Sequence, residues 1–161
     1  MGLVELQPGN LFIIMDKRAD RAFALYRTIK ASGREVSVVA RMHPERLLKD
    51  FQIPPEDVVW LSSSTGPRVV NPQSVGILTD TMVRIFEKET GATVILEGLE
   101  YLMTQNDFTK VLKMVNFLYE TVAVHQATII LTLDPQAFSE KELAYLTREA
   151  VVAGERDEIV L

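Results

Sequence analysis

Acidic side chains directly follow three of the short apolar runs in this chain. Asp16 follows LFIIM, Glu97 follows TVIL and Asp134 follows ATIILTL. Carboxylate oxygens are the ligands that hard cations such as Mg²⁺ prefer, so convergence of these three groups would build a cation site. Acidic residues also end strands simply because strand ends are solvated, and this structural role is the more frequent one.

Two other apolar runs end in residues that could contact an anion or act as nucleophiles. Arg41 follows EVSVVA, and serines follow VVWL. Because ligands of an open parallel sheet bind beyond the carboxyl ends of its strands, we treat all of these ends as one candidate ligand-binding edge. The candidate residues are Asp16, Arg41, Ser62, Ser63, Glu97 and Asp134.

The pattern along the chain alternates short β-rich runs with longer helical periods. It predicts helices over Arg18–Ser32, Ser74–Glu89 and Asn106–Val124, a short one opened by His43 and Pro44, and a last one opened by a Ser139/Glu142 capping box. Five strands are predicted, at Leu11–Met15, EVSVVAR, Val58–Ser63, TVILE and Ala127–Leu133, and the closing EIVL is either an edge strand or a frayed tail. We therefore expect one domain over residues 1–161, a three-layer α/β/α sandwich with a mostly parallel sheet of five or six strands.

The turn after the first strand lacks the features of a phosphate-binding loop. No glycine occurs from Leu11 to Ser32, and the chain has no Gly-Lys-Ser/Thr triplet. Asp16 and Asp20 would repel phosphate, although Lys17, Arg18 and Arg21 could attract an anion. Since the loop geometry requires glycine, the sequence argues against ordinary P-loop ATP hydrolysis.

Other catalytic classes also lack their signatures. There is no G-x-S-x-G, no G-x-G-x-x-G and no cysteine, and His43 and His125 are the only histidines. His125 ends the long predicted helix, where a structural role as a C-terminal charge is the more frequent one. We therefore predict no enzyme, no metal and no cofactor.

Composition limits the classes of partner that the chain is expected to bind. The chain has 17 basic and 22 acidic residues, a formal charge of −5, so it lacks the basic face that nucleic-acid binding needs. It has no apolar run near the length that spans a bilayer and no export signal, so we expect a cytoplasmic protein without membrane contact. The absence of cysteine and the many charges are typical of a heat-loving source.

Aromatic residues and one broad helix bear on association. The spacing of Trp60, Phe108, Phe117 and Tyr119 predicts that they lie in the core. The helix over Asn106–Val124 has a wide apolar arc, which indicates deep burial or contact with a partner. That arc and the EIVL strand make a homodimer a candidate assembly.

The residues from about Ile77 to Leu146 resemble an archaeal family catalogued as domain of unknown function 835. The most specific element is VILEGLEYLMTQNDF, and ARMHPERL is similar to the first half of the family. That family in turn resembles the RecA and KaiC ATPases, in which Glu97 would occupy the position of the acidic Walker B residue, normally an aspartate. Nothing in the chain matches their P-loop, and the turn in its place is Asp16–Asp20.

These observations lead to one main hypothesis and one alternative. The main hypothesis is a non-catalytic, pseudo-ATPase-like module with a regulatory or scaffold role, acting through contacts with an unknown protein, a RecA/KaiC-like ATPase or a second copy. The alternative is a small-ligand or nucleotide sensor at the carboxyl edge, where Asp16, Glu97 and Asp134 hold a cation and Arg41 or Arg68 contacts an anion. A hydrolytic enzyme ranks lowest because a positioned base and nucleophile are missing.

Overall fold

A computed structural model describes residues 2–161 of the chain, and Met1 lies outside the described residues. The strands are β1 (Leu3–Glu5), β2 (Leu11–Met15), β3 (Val36–Ala40), β4 (Val58–Leu61), β5 (Val69–Val70), β6 (Thr93–Leu96), β7 (Thr128–Leu133), β8 (Val151–Ala153) and β9 (Glu158–Val160). The helices are α1 (Asp20–Ala31), α2 (Pro44–Phe51), α3 (Val75–Lys88), α4 (Leu99–Gln105), α5 (Phe108–His125) and α6 (Glu140–Thr147). Within residues 2–161, no helix combines the length and the apolar character needed to cross a bilayer.

Seven parallel strands form the main sheet, in the order β5-β4-β3-β6-β7-β2-β8. The predicted α/β class with a mostly parallel sheet is confirmed, but the predicted count of five or six strands is wrong. β5 and β8 span two and three residues, which is too short to produce a readable period. The closing EIVL contributes β9, which pairs with β1 in a separate two-stranded parallel sheet.

Helices cover both faces of the main sheet. One buried cluster packs α1 and α2 against side chains such as Phe12 and Ile14, and the other packs α3 to α6 against Leu11 and Ile13. Successive side chains of a strand point to opposite faces, so a strand covered on both sides must be apolar throughout. This requirement explains why LFIIM reads as an uninterrupted apolar run.

The long helix differs from its prediction at its start and on its surface. It begins at Phe108, where the Asp107 carboxylate accepts from the Lys110 N–H, and Leu99–Gln105 forms the separate helix α4. Phe117 was expected in the core but is 51% exposed. An apolar residue at the edge of the apolar face of a helix can therefore be exposed, since helical spacing places it beside the buried residues and not among them.

Two predicted helix starts are confirmed. Ser139 and Glu142 form a reciprocal capping box at the start of α6. His43 caps α2, and its Nδ1 accepts from the Glu45 N–H at 3.1 Å. Because α2 begins directly after β3, this cap fixes how the helix leaves the carboxyl edge of the sheet.

Neighbouring strands send their helices to opposite faces at two places on the carboxyl edge. The helices that follow β2 and β3 lie on one face, whereas those that follow β6 and β7 lie on the other. Since β2 adjoins β7 and β3 adjoins β6, a crevice opens at each of these pairs. Such crevices are where open parallel sheets bind ligands.

Candidate functional site

Glu97 lies at the end of β6 and joins it to β3. Its Oε1 accepts from the backbone N–H groups of Arg41 and Met42, each at 3.0 Å. Burial raises the pKa of the Glu97 carboxyl above its usual range, and the nearby Glu100 charge adds to the rise against the opposing effect of the two hydrogen bonds. One oxygen of this carboxylate thus has a structural role, and burial penalises its charge.

Gly98 permits the turn that places Glu97. Its φ is +108°, a conformation that residues with a Cβ rarely adopt. A Cβ at this position would lie 3.1 Å from the Arg41 Cβ and 3.3 Å from the Leu61 Cδ1. The close approach of three strand ends therefore depends on glycine here, and α4 can begin at the next residue.

Glu100 and Asp134 are also engaged in structural contacts. The Glu100 Oε2 accepts from the Asp134 N–H at 2.7 Å, which ties the first turn of α4 to the end of β7. The Asp134 Oδ1 accepts from the Gln136 N–H at 2.9 Å and caps a short 3-10 turn. Asp134 therefore stabilises the chain where it leaves the sheet.

Arg41 is held above the carboxyl edge by aromatic and carbonyl contacts. Its guanidinium carbon lies 4.2 Å from the centre of the Tyr101 ring, and its Nη1 donates to the Leu61 carbonyl at 3.3 Å. The Arg41 carbonyl accepts from the Trp60 indole N–H at 3.1 Å. Trp60, which is predicted to lie in the core, is only half-buried.

Asp16 is paired with a residue of the helix that follows it. The Arg21 Nε donates to the Asp16 Oδ2 at 2.7 Å, and the same guanidinium donates to the carbonyls of Asp157 and Gly154 at 2.7 and 2.8 Å. Arg21 therefore links the turn between β8 and β9 to the end of β2. The ion pair with Asp16 helps to orient the Arg21 guanidinium.

The two candidate serines have different environments. Ser62 is buried, and its Oγ accepts from the Ser64 N–H at 3.0 Å, whereas Ser63 is exposed. Neither residue lines the cavities formed around Glu97. These serines therefore do not form a site together with the carboxylates.

Two adjoining cavities occupy the carboxyl edge. The inner pocket, about 290 Å³, lies at the ends of β2, β6 and β7, and among the six candidates it contains Asp16 and Glu97. The basic cleft, about 930 Å³, lies between the first turn of α1 and α2, and it includes Lys17, Arg18, Arg46, Lys49 and Glu97. Both cavities share Lys17, Arg18 and Glu97.

The carboxylates do not form the cation site that the sensor alternative describes. Among residues 2–161, no three acidic or histidine side chains are grouped in a way that could hold a metal ion. Asp16, Glu97 and Asp134 are each engaged in other contacts, and Asp134 does not line the inner pocket. Arg41 and Arg68, to which the sensor alternative gives an anion-binding role, do not line the basic cleft.

The cationic residues of α2 were not singled out in the sequence. Arg46 and Lys49 are three residues apart in ARMHPERLLKD, which places them on one side of a helix. That spacing was a readable signal. Their position opposite Lys17 and Arg18 depends on α1 and α2 lying on the same face of the sheet, which only the strand order determines.

A sequence profile described as "Protein of unknown function (DUF835)" matches residues 15–150. The chain belongs to this family. The match confirms the family expected from VILEGLEYLMTQNDF. It covers β3 to β7 in full, but it includes only the last residue of β2 and ends before β8 begins.

Among the solved structures that share the fold of this DUF835 domain is one from an archaeal structural study. It is a protein from Pyrococcus horikoshii OT3 solved in a structural study, with a TM-score of 0.63 and 12% identity, covering 92% of this chain and 82% of that one. No curated protein matches the sequence. At this identity the likeness shows the fold alone.

Proposed function

We propose that this DUF835 domain is a non-catalytic, pseudo-ATPase-like module with a regulatory or scaffold role that acts through contacts with other proteins. The observation that carries the proposal is the use of Glu97. In the resemblance to RecA and KaiC ATPases this residue stands in the Walker B position, yet its Oε1 is bound by two backbone N–H groups of its own fold. A carboxylate used in this way supports the sheet edge rather than a reaction.

The turn that would hold phosphate supports the same conclusion. A phosphate cradle needs successive backbone N–H groups facing a concave loop, which usually requires residues with positive φ. Within the described chain, no residue from 16 to 19 has positive φ. The Asp16 N–H instead donates to the Leu133 carbonyl at 2.9 Å, and the Asp16 carboxylate is paired with Arg21.

Exposed apolar side chains on α5 support a protein-contact role. Phe117 is 51% and Val124 is 78% exposed, and the two lie about two helical turns apart on one side of α5. Ile77 on the neighbouring helix α3 is 62% exposed. Exposed large aromatic and aliphatic residues are typical of interface centres. We assign this surface to a second copy of the chain, with a RecA/KaiC-like ATPase as the other candidate partner.

Sedimentation equilibrium over a range of concentrations tests this proposal. We expect the wild-type chain to self-associate and the double variant Phe117→Ser/Val124→Ser to weaken association at least about tenfold, because two buried apolar groups would be lost. Leu48→Ser is the matched control, since Leu48 is 47% exposed on α2, which lies across the sheet.

Two outcomes contradict the proposal. A wild-type chain that stays monomeric at all concentrations, and that also fails to bind an added RecA/KaiC-like ATPase, removes the protein-contact role. Magnesium-dependent ATP turnover that Glu97→Gln abolishes removes the non-catalytic role.

The second candidate function is a small-ligand or nucleotide sensor at the carboxyl edge. It is favoured by the two cavities that share Lys17 and Arg18 at the strand ends. A sensor of this kind would bind its ligand without turnover, so it is compatible with a non-catalytic module.

A further inference from the structure

The basic cleft has the size and the walls of a small-molecule site. Its volume of about 930 Å³ falls within the range of ligand pockets, roughly 300–1,000 Å³. Lys17 and Arg18 form one wall, in the turn before α1, and Arg46 and Lys49 form the other wall, on α2. A ligand between the walls would meet cationic groups from two separate elements.

The charge of the cleft is opposite to that of the whole chain. The chain carries a formal charge of −5, whereas the cleft is lined by four basic residues and three acidic ones. Of the acidic residues, Asp50 is paired with Arg46 at 3.3 Å, and Glu97 accepts from two backbone N–H groups. The third, Asp20, lies in the first turn of α1. Within residues 2–161, Lys17, Arg18 and Lys49 have no carboxylate within 4.0 Å.

The cleft also contains apolar surface. Met42 and Phe51 also line it, and both are half-buried. The Phe51 ring is tilted against the Phe23 ring, with the centroids 5.1 Å apart, so it is held in place by the core. A fixed, partly exposed aromatic ring provides a surface on which a flat ligand ring can stack.

We propose that the basic cleft binds a small phosphorylated metabolite in which a phosphate lies beside a flat, apolar ring. Lys17, Arg18 and Lys49 contact the phosphate, Arg18 with two N–H groups, and the ring lies on Phe51 and Met42. This inference rests on the sensor candidate above and names its ligand class and its residues. Neither a glycine loop nor a bound cation is needed, because cationic side chains neutralise the phosphate.

Isothermal titration calorimetry without magnesium tests the site, with adenosine 5′-monophosphate, adenosine and inorganic pyrophosphate as probes. We expect the monophosphate to bind, adenosine to bind at least about tenfold more weakly, and Lys49→Glu to weaken the monophosphate at least about tenfold, because charge-assisted hydrogen bonds are lost. Lys113→Glu is the matched control, since it makes the same charge change on the exposed side of α5. Phe51→Leu should weaken the monophosphate more than pyrophosphate.

Three results would overturn the site. The first is an absence of binding by both the monophosphate and pyrophosphate. The second is an equal loss in Lys49→Glu and Lys113→Glu, which would indicate a general charge effect. The third is binding of a poly-glutamate peptide, lost in Lys49→Glu, without binding of the monophosphate, which would assign the cleft to an acidic protein segment.

The outcome is separable from that of the proposed function. Thermal melts of each variant show whether it folds, and self-association is measured on the Phe117 and Val124 surface, which lies on the helix layer across the sheet from α1 and α2. Failure of the ligand site therefore leaves the protein-contact proposal standing, and the reverse is also true.

Discussion

Replacing Glu97 by alanine tests whether this carboxylate is a structural link between β6 and β3. The side chain accepts from the Arg41 and Met42 N–H groups at 3.0 Å each. A backbone N–H left without an acceptor costs about 1–3 kcal/mol, so two would cost about 2–6 kcal/mol if they stayed dry. Because Glu97 is only partly buried, water will enter the space, and we expect Glu97→Ala to lower the free energy of unfolding by about 2–4 kcal/mol.

Glu97→Gln separates the acceptor from the charge. The amide oxygen of glutamine can still accept from both N–H groups, so we expect its free energy of unfolding to stay within about 1 kcal/mol of wild type at neutral pH. Glu100→Ala is the matched comparison, since it removes the acceptor of one N–H, that of Asp134, and should cost about half as much as Glu97→Ala. Urea unfolding at constant pH measures all three variants, with equal m-values as the condition for comparing them.

The pH dependence of stability in the wild type and in Glu97→Gln gives a second test of the role of Glu97. The pKa of Glu97 is raised above its usual 4.5 in the folded state, chiefly by burial. Between 4.5 and the raised value, the folded chain keeps a proton that the unfolded chain has lost, so stability is full below pH 4.5 and falls as pH rises through that window. Glu97→Gln cannot titrate and should lack this fall.

Two outcomes would refute the reasoning. If Glu97→Gln is as unstable as Glu97→Ala, the negative charge itself is needed, and a cation or other ligand must be considered. If Glu97→Ala is within about 0.5 kcal/mol of wild type, the two hydrogen bonds do not hold the strand ends together.

Three further outcomes follow from the contacts around the sheet edge. Gly98→Ala should lower the free energy of unfolding by more than the roughly 1–2 kcal/mol that a positive φ alone costs a residue with a Cβ. Gly33→Ala measures that cost alone in urea unfolding, because Gly33 has a φ of +91° and open space around it. Equal losses in the two variants would contradict the close contact at Gly98. Arg21→Lys should speed hydrogen exchange in residues 154–161, because lysine cannot make the same set of carbonyl contacts; unchanged exchange would show that the guanidinium is dispensable there. Burial and the hydrogen bond to Asp57 raise the pKa of Tyr26, so ultraviolet titration should show one tyrosine that ionises well above the others, and Tyr26→Phe should remove it.

The sheet and its main helices could be predicted because burial on both faces imposes a local pattern. LFIIM is apolar throughout, and ATIILTL is apolar except for two buried threonines, since helices cover both sides of β2 and β7. The capping box at Ser139 was readable for a similar reason, because both of its partners lie within one turn. β5 and β8 are fixed instead by pairing with strands distant in sequence, so two or three residues give no local sign of them.

The roles of the candidate residues depended on strand order. Glu97 could be located at a strand end, but its acceptor role requires β3 to lie beside β6, which only the long-range pairing establishes. Asp16, Glu97 and Asp134 end three strands of one sheet, yet each carboxylate found a partner within its own surroundings. Residues at the carboxyl ends of parallel strands lie along the same edge of the sheet, but their side chains need not meet at one site.

The use of glutamate rather than aspartate at the end of β6 has a geometric reason in this domain. The accepting oxygen must reach the N–H groups of Arg41 and Met42, which lie just past the end of the adjacent strand β3. Glutamate is longer than aspartate by one methylene, so an aspartate at this position would fall short of the two N–H groups by about one carbon–carbon bond. Glutamate at this position is therefore a consequence of the link that it makes. Glu97 also lines the basic cleft, where two backbone N–H groups already occupy its Oε1.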